Sequence, residues 1–295
     1  MPDVICIGEV LADFVPEGRG HVLRPGGAPA NVAVNLARMG VSSGIITKTG
    51  TDPLGKFLKG FLRENRVNVS NVFTTNRAKT GLVLVFHDKN NESTYSFYGD
   101  PAADKFLDKS EIKPAYINTC EILHYGSISM MHPVSAAAVT KAVLTAKRNG
   151  ALISYDPNVR LNLWKGRFSA AKKMMRGLFK YADIIKLNEK ELKFLFGAKP
   201  SAGELGKLFG KGHLVFVTAG AKGCFVYLNG FFARASGAKA RVVDATGAGD
   251  AFMAGVLSGI IKNKKGLELE ESVLLKIAQK ANSLGAAAVA RKGAV

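Results

Sequence analysis

Short apolar runs of strand length recur along this chain, separated by segments whose apolar residues follow a helical period. Val4-Ile5-Cys6-Ile7, Gly44-Ile45-Ile46-Thr47, Glu121-Ile122-Leu123-His124-Tyr125, Ala151-Leu152-Ile153-Ser154-Tyr155, Asp183-Ile184-Ile185 and Leu214-Val215-Phe216-Val217 are the runs. Helical spacing links Val32, Val34, Leu36 and Met39, then residues 133–149, then Phe252, Met253, Val256, Leu257 and Ile260. This alternation constrains the fold more than any other feature. Strands that alternate with helices pair side by side in one sheet, and the helices cover its two faces. The expectation is a three-layer α/β/α domain with a mostly parallel central sheet. One segment breaks the pattern: Leu82-Val83-Leu84-Val85-Phe86 and Ser93-Thr94-Tyr95-Ser96-Phe97-Tyr98 flank a polar turn from His87 to Asn91. With residues 12–24, this part of residues 72–100 is expected to form a small β-sheet lid, and His87 at its tip reads as exposed rather than catalytic.

Composition narrows the function. At 295 residues the chain suits one sizeable α/β domain or two small ones. No apolar run reaches the ~20 residues needed to span a bilayer. The start lacks the basic and apolar segments of a signal peptide and reads as a first strand, so a cytoplasmic location is expected. Cys6, Cys120 and Cys224 are scattered and belong to no CxxC or Cys/His cluster, which suggests neither a disulfide framework nor zinc. The formal net charge is +18, but its basic residues are spread along the chain. The densest set runs from Lys165 to Lys180 without regular aromatic interleaving. A solvated, generally basic surface that attracts anionic substrates is the reading, and no nucleic-acid or membrane partner is expected.

The stretch from Val242 to Phe252 carries the most chemistry. Val242-Val243 reads as the end of a buried strand, and a helix follows Asp250. Between them Gly247, Ala248 and Gly249 have almost no side-chain bulk, so amides at the helix N-terminus can converge on an anion. Asp250 would repel that anion unless it has another task. It is either a first-turn residue complementing the dipole or a base that takes a hydroxyl proton during phosphoryl transfer.

Other segments are consistent with a ligand at the sheet's C-terminal edge. Gly26-Gly27 before a helix permits close backbone approach, and Asn31 and Asp13 could bond a polyol; a tight turn and a cap are the plain alternatives. Gly50 to Lys56 fits GxxxxGK, but Phe57 stands where a P-loop needs Ser or Thr, so a P-loop is rejected. Asp52 reads as a helix cap. Asp156-Pro157-Asn158-Val159-Arg160 ends a strand in polar groups. Asn188 and Glu191 fit a capping box. The strand to Thr218 enters a turn bearing Gly220 and Gly223.

Asp244-Ala245-Thr246-Gly247-Ala248-Gly249-Asp250 resembles the C-terminal motif of the ribokinase-like (PfkB) sugar kinases, with Ala245 where that family usually has Thr. Gly26-Gly27-Ala28-Pro29-Ala30-Asn31 resembles its N-terminal motif, most closely in the fructokinase branch. The resemblance covers nearly the whole chain and implies one domain, residues 1–295. It implies Asp250 as catalytic base and Gly247, Ala248 and Gly249 as the anion hole. Asp13, Gly26, Gly27, Asn31 and Arg160 would hold the sugar. Asn188, Thr218, Gly220, Gly223 and Asn282 would hold ATP, with Glu191 ordering Mg²⁺ through water. Asp244, Thr246 and the tail from Gly285 to Ala294 would bind a monovalent cation such as K⁺. A homodimer through the lid is also implied. Fructose is the expected acceptor, giving fructose 6-phosphate, with 2-keto-3-deoxygluconate and ribose as alternatives. Many fructokinase-like members carry an Arg where this chain has Glu92-Ser93-Thr94. A non-catalytic sugar- or nucleotide-binding regulator is the other class, while a dehydrogenase lacks its GxGxxG after the first strand.

Overall fold

The computed structural model describes residues 1–87 and 93–295, and of His87, Ser93 and Thr94 the backbone alone. The hairpin turn expected from His87 to Asn91, the exposure of His87 and the position of Glu92 lie outside the described residues.

The chain opens with β1 (Val4–Ile7), β2 (Leu11–Glu17), β3 (Gly20–Gly26) and α1 (Ala28–Arg38). Next come β4 (Ser43–Gly50), α2 (Pro53–Glu64), β5 (Asn68–Thr75), β6 (Leu82–His87), β7 (Ser93–Tyr98) and α3 (Pro114–Ile117). Then β8 (Ile122–Gly126), α4 (Pro133–Arg148), β9 (Leu152–Asp156), α5 (Phe168–Leu178), β10 (Ile184–Asn188) and α6 (Glu189–Phe196) follow. The last elements are α7 (Ala202–Phe209), β11 (Leu214–Thr218), β12 (Cys224–Leu228), β13 (Phe231–Ala235), α8 (Ala248–Asn263) and α9 (Glu271–Val289).

Among the described residues, nine strands form one sheet in the order β13-β12-β11-β10-β9-β8-β1-β4-β5. Pairing is parallel except where β12 and β13 fold back. Strand residues alternate between the faces. Val4 and Cys6 enter a core with α1, α2, α8 and α9, whereas Ile5 and Ile7 enter a second core with α4 to α7. Three layers result, as the alternation predicts. In α8, Met253, Val256 and Leu257 are fully buried, each contributing roughly 1.5–3 kcal/mol relative to exposure.

The second sheet, β3-β2-β6-β7, is small and mixed. Its register puts Leu11, Asp13 and Val15 on the same face as Val83, Val85, Tyr95 and Phe97. The expected lid range of 72–100 began too early: Val72 to Thr75 belong to β5, on the edge of the main sheet. Residues that alternate along a solvent-lined edge look alike in either sheet. Val242 and Val243 are also not a strand. They are 64% and 41% exposed, and the chain here is tied by Val243 N to Val289 O at 2.7 Å. Asp52 caps α2 as expected, accepting from Gly55 N at 3.0 Å. Cys6, Cys120 and Cys224 are free and buried. Among the described residues no helix is long and apolar enough to cross a membrane.

Chain order then sets the site. β1 pairs with β4 on one side and β8 on the other, so the crossovers diverge there and leave a crevice at the strands' C-terminal ends.

Candidate active site

The N-terminus of α8 stands in that crevice, entered through Gly247 in a left-handed conformation. The first amides of a helix have no partner within it and carry its positive dipole end. Two cavities meet at this turn. Gly247 and Asp250 line one, with Glu9, Asp13, Gly27, Asn31, Tyr95, Asn158 and Arg160. Ala248 and Gly249 line the other, a cavity of about 320 Å³ that also takes in Thr218, Gly220, Gly223 and Asn282. The turn is the wall between them.

The first cavity is built from side chains. Asp250 is buried, and Asn31 Nδ2 donates to its Oδ2 at 2.8 Å. Burial raises the Asp250 pKa and Asp156 adds to that; the Asn31 bond, Lys186 and Arg160 oppose them. Asp13 comes in from β2, its carboxyl pushed up to about 7 by burial and by Asp250, against the pull of Arg160. Gly26 lies where any Cβ would strike the Asp13 carboxyl, and Gly27, at φ 101°, approaches the Glu9 carbonyl so closely that a Cβ would sit 2.5 Å from it. Arg160 donates to Asn158 Oδ1, and its guanidinium lies 5.4 Å from the Tyr95 ring centroid. Tyr95 reaches from β7 to Thr246, hydroxyl to hydroxyl at 3.5 Å. The small sheet thereby forms one wall of this cavity.

Beneath the helix turn lies a charge pair that joins Asp156, the head of the Asp-Pro-Asn-x-Arg segment, to a lysine not singled out in the sequence. Lys186 Nζ meets Asp156 Oδ2 at 2.8 Å, both side chains almost fully buried. A Cβ on Gly249 would come within 2.9 Å of that ammonium, so a side chain there would displace either the turn or the tip of the lysine from its pair with Asp156. Burial works against the Lys186 charge, but Asp156, Glu191 and Asp250 together raise its pKa.

The second cavity is lined mostly by glycine backbone and small apolar side chains. Its walls include Ala221, Gly237, Ala238, Val242, Phe252, Gly285, Ala286 and Val289. The exposed Val242 is one of those walls. Asn282 lines it, while its Nδ2 donates to Ala235 O at 3.2 Å and Ser236 O at 3.0 Å, holding the loop after β13.

Asn188 and Glu191 are not brought into either cavity. They form the capping box of α6: Glu191 N donates to Asn188 Oδ1 and Asn188 N to Glu191 Oε2, each at 2.8 Å. Glu191 Oε1 takes a third bond, from Val159 N. Burial raises its pKa and Lys186 opposes. Asp244 accepts Thr246 N at 2.8 Å and Gly293 N at 2.9 Å, so its carboxylate ties the turn before α8 to the C-terminal segment. Among the described residues no group of three or more His, Cys, Asp or Glu could hold a metal ion.

A helix N-terminus dividing an oxygen-rich cavity from a glycine-lined one, with a buried carboxylate in its first turn, defines an enzyme that passes an anionic group to a small polar acceptor. The whole chain, residues 1–295, matches the pfkB family of carbohydrate kinases. It belongs to that family and is a carbohydrate kinase. Probable fructokinase-6, chloroplastic, of Arabidopsis thaliana is 40% identical over 305 residues, covering 100% of this chain and 79% of that protein. Fructokinase-2 of Solanum lycopersicum is 36% identical over 302 residues, covering 99% of this chain and 92% of that protein. The crystal structure of fructokinase from Vibrio cholerae O395, in a fructose, ADP and calcium ion bound form, superposes with a TM-score of 0.89 at 31% identity. That match covers 100% of this chain and 94% of the other.

Proposed function

We propose that this chain is an ATP-dependent fructokinase, transferring the γ-phosphoryl group of ATP to the 6-hydroxyl of fructose. The observation that carries the reading is the shared wall: Gly247 and Asp250 face the oxygen-rich cavity, Ala248 and Gly249 the glycine-lined one. Sugar would sit on the first side and nucleotide on the second, so the transferred group crosses the α8 N-terminus. The fructose- and ADP-bound relative and the fructokinase names of the plant relatives support the choice of ligands.

Asp13, the backbone at Gly26 and Gly27, Asn31 and Arg160 would hold the sugar hydroxyls. Asp250 takes the proton of the attacking hydroxyl as its oxygen bonds to the γ-phosphorus and the bond to the bridging oxygen of ADP breaks. The amides of Gly247 to Asp250 stabilise the charge on the moving phosphoryl oxygens, with the Lys186 ammonium beneath them. Thr218, Gly220, Gly223 and Asn282 would frame the nucleotide. Magnesium typically keeps several waters and few protein ligands. The residues present fit that habit: each Glu191 oxygen accepts a single backbone amide and keeps a lone pair for a metal-bound water. Glu191, with Asn188 beside it, would therefore hold Mg²⁺ through water, neutralising phosphate charge. Asp244 and Thr246, with carbonyls of the C-terminal segment, are the proposed monovalent-cation site. A cytoplasmic location and a homodimer complete the reading. The dimer would use the outer face of the small sheet, where Phe86 is 45% exposed.

The test is ADP release from Mg-ATP with fructose, ribose, 2-keto-3-deoxygluconate, glucose and adenosine, in wild type and Asp250→Asn. Fructose-dependent turnover that the substitution abolishes is expected. Turnover with another sugar alone would refute the acceptor and keep the mechanism; nucleotide binding without any turnover would favour a regulator.

A further inference from the structure

Asn31, expected to hold a sugar hydroxyl, spends its amide N–H on another residue. Nδ2 donates to Asp250 Oδ2 at 2.8 Å across 219 residues of sequence, in a buried contact. We propose that Asn31 is a positioning residue for the catalytic base, fixing the Asp250 carboxylate so that its other oxygen faces the acceptor hydroxyl. The inference rests on Asp250 acting as base.

The orientation of the amide follows from chemistry. A carboxylate accepts only from the NH₂ group, and turning Oδ1 towards it would set two acceptors against each other. Asn31 Oδ1 is buried without a hydrogen-bond partner, and Asn31 lines the acceptor cavity. A buried acceptor left unpaired keeps an unrecovered desolvation penalty, which a donor hydroxyl of the bound sugar would relieve. One side chain would then hold the sugar through oxygen and the base through nitrogen, keeping their separation fixed. Neither end can drift. Asn31 is itself held in the first turns of α1, where Asn35 Nδ2 donates to its carbonyl at 2.9 Å.

The groups around Asp250 make this bond the one that selects an oxygen. Asp13 faces it from β2, Asp156 from β9, Arg160 from the loop after β9 and Lys186 from β10. α9 meets α8 through Ala281, Leu284 and Gly285, which carry no charge. Glu9 lines the same cavity from just after the end of β1; Asp156 raises the Asp250 pKa, Lys186 and Arg160 lower it, and Asn31 donates the side-chain hydrogen bond. Burial raises the Asp250 pKa, and that bond opposes it.

The experiment is the pH dependence of the single-turnover rate with Mg-ATP and saturating fructose, in wild type, Asn31→Leu and Asn31→Ser. A hydrogen bond to a charged group is worth enough to move a pKa by about one to two pH units. The acidic limb of the Asn31→Leu profile is therefore expected to move up by about that much, with the rate recovering at high pH. Asn31→Ser keeps a small donor and should move the limb less. A ¹³C titration of the Asp250 carboxyl reads the same shift without turnover. A raised fructose KM with an unmoved limb and titration would overturn the proposal, leaving Asn31 a sugar ligand alone. Asp250→Asn separates the two failures: if it remains fully active, the base itself is misassigned.

Discussion

On the proposed acceptor side of the α8 N-terminus, Asp13, Asn31, Arg160 and Asp250 converge through their side chains. On the proposed nucleotide side, Gly220, Gly223, Gly237, Gly285 and Ala286 offer backbone and methyl groups. The first side selects by charge and hydrogen bonding, where loss of one group leaves its neighbours unpaired. The second selects by shape, where added bulk does the harm. The contrast also divides the labour: buried acids must be poised for proton transfer, while a phosphate chain is best met by unencumbered amides.

Substitutions can probe this division, and the largest effect falls on the wall itself. Gly249→Ala puts a methyl 2.9 Å from Lys186 Nζ and forces the turn or the lysine to move. Steady-state kinetics should show kcat falling by about 10²–10³-fold, the range for losing one anion-stabilising donor. An activity within about threefold of wild type would mean that the anion-stabilising turn is not supported from below.

Bulk on the shape-selecting side comes next. Ala286→Leu fills the cavity and is expected to weaken ADP binding by about tenfold in calorimetry, with the fructose KM unchanged. If the fructose KM moved instead, the two cavities would have been assigned the wrong way round.

The smallest effect is one of stability. The Asp13 carboxyl lies at about 7 in the fold, above its ordinary value, so the fold binds its proton more tightly than the unfolded chain. That contribution is fully present below about pH 4 and is lost as pH rises to about 7. Melting curves of sugar-free protein should lose several degrees over this window in wild type. Asp13→Asn should flatten that loss, and parallel slopes would contradict the burial of Asp13.

How much of this the sequence shows depends on how local each feature is. Gly247, Ala248, Gly249 and Asp250 are contiguous, and so are Gly26 and Gly27, so both turns are legible in the order of residues alone. The alternation of strands and helices likewise dictates three layers. Lys186 and Asp156 are 30 residues apart and meet only because β9 and β10 are neighbours. A signal was present, since a lysine inside the apolar run Ile184-Ile185-Lys186-Leu187 needs a buried partner. Asn31 was legible as a polar residue near a ligand, but its bond to Asp250 crosses 219 residues and has no local sign. Val242 misled because an apolar residue walling an open cavity has the same sequence signature as one in a buried strand.

The proposed mechanism stands on the α8 N-terminus passing a phosphoryl group from one cavity to the other. Rapid quench of γ-³²P-ATP with fructose, in wild type and Asp250→Asn, follows that transfer itself. Wild type should place the label in fructose 6-phosphate in the first turnover, and Asp250→Asn should bind ATP equally well yet transfer at least about 10³-fold more slowly. Equal transfer rates in the two proteins, or label appearing only as free phosphate, would contradict the mechanism.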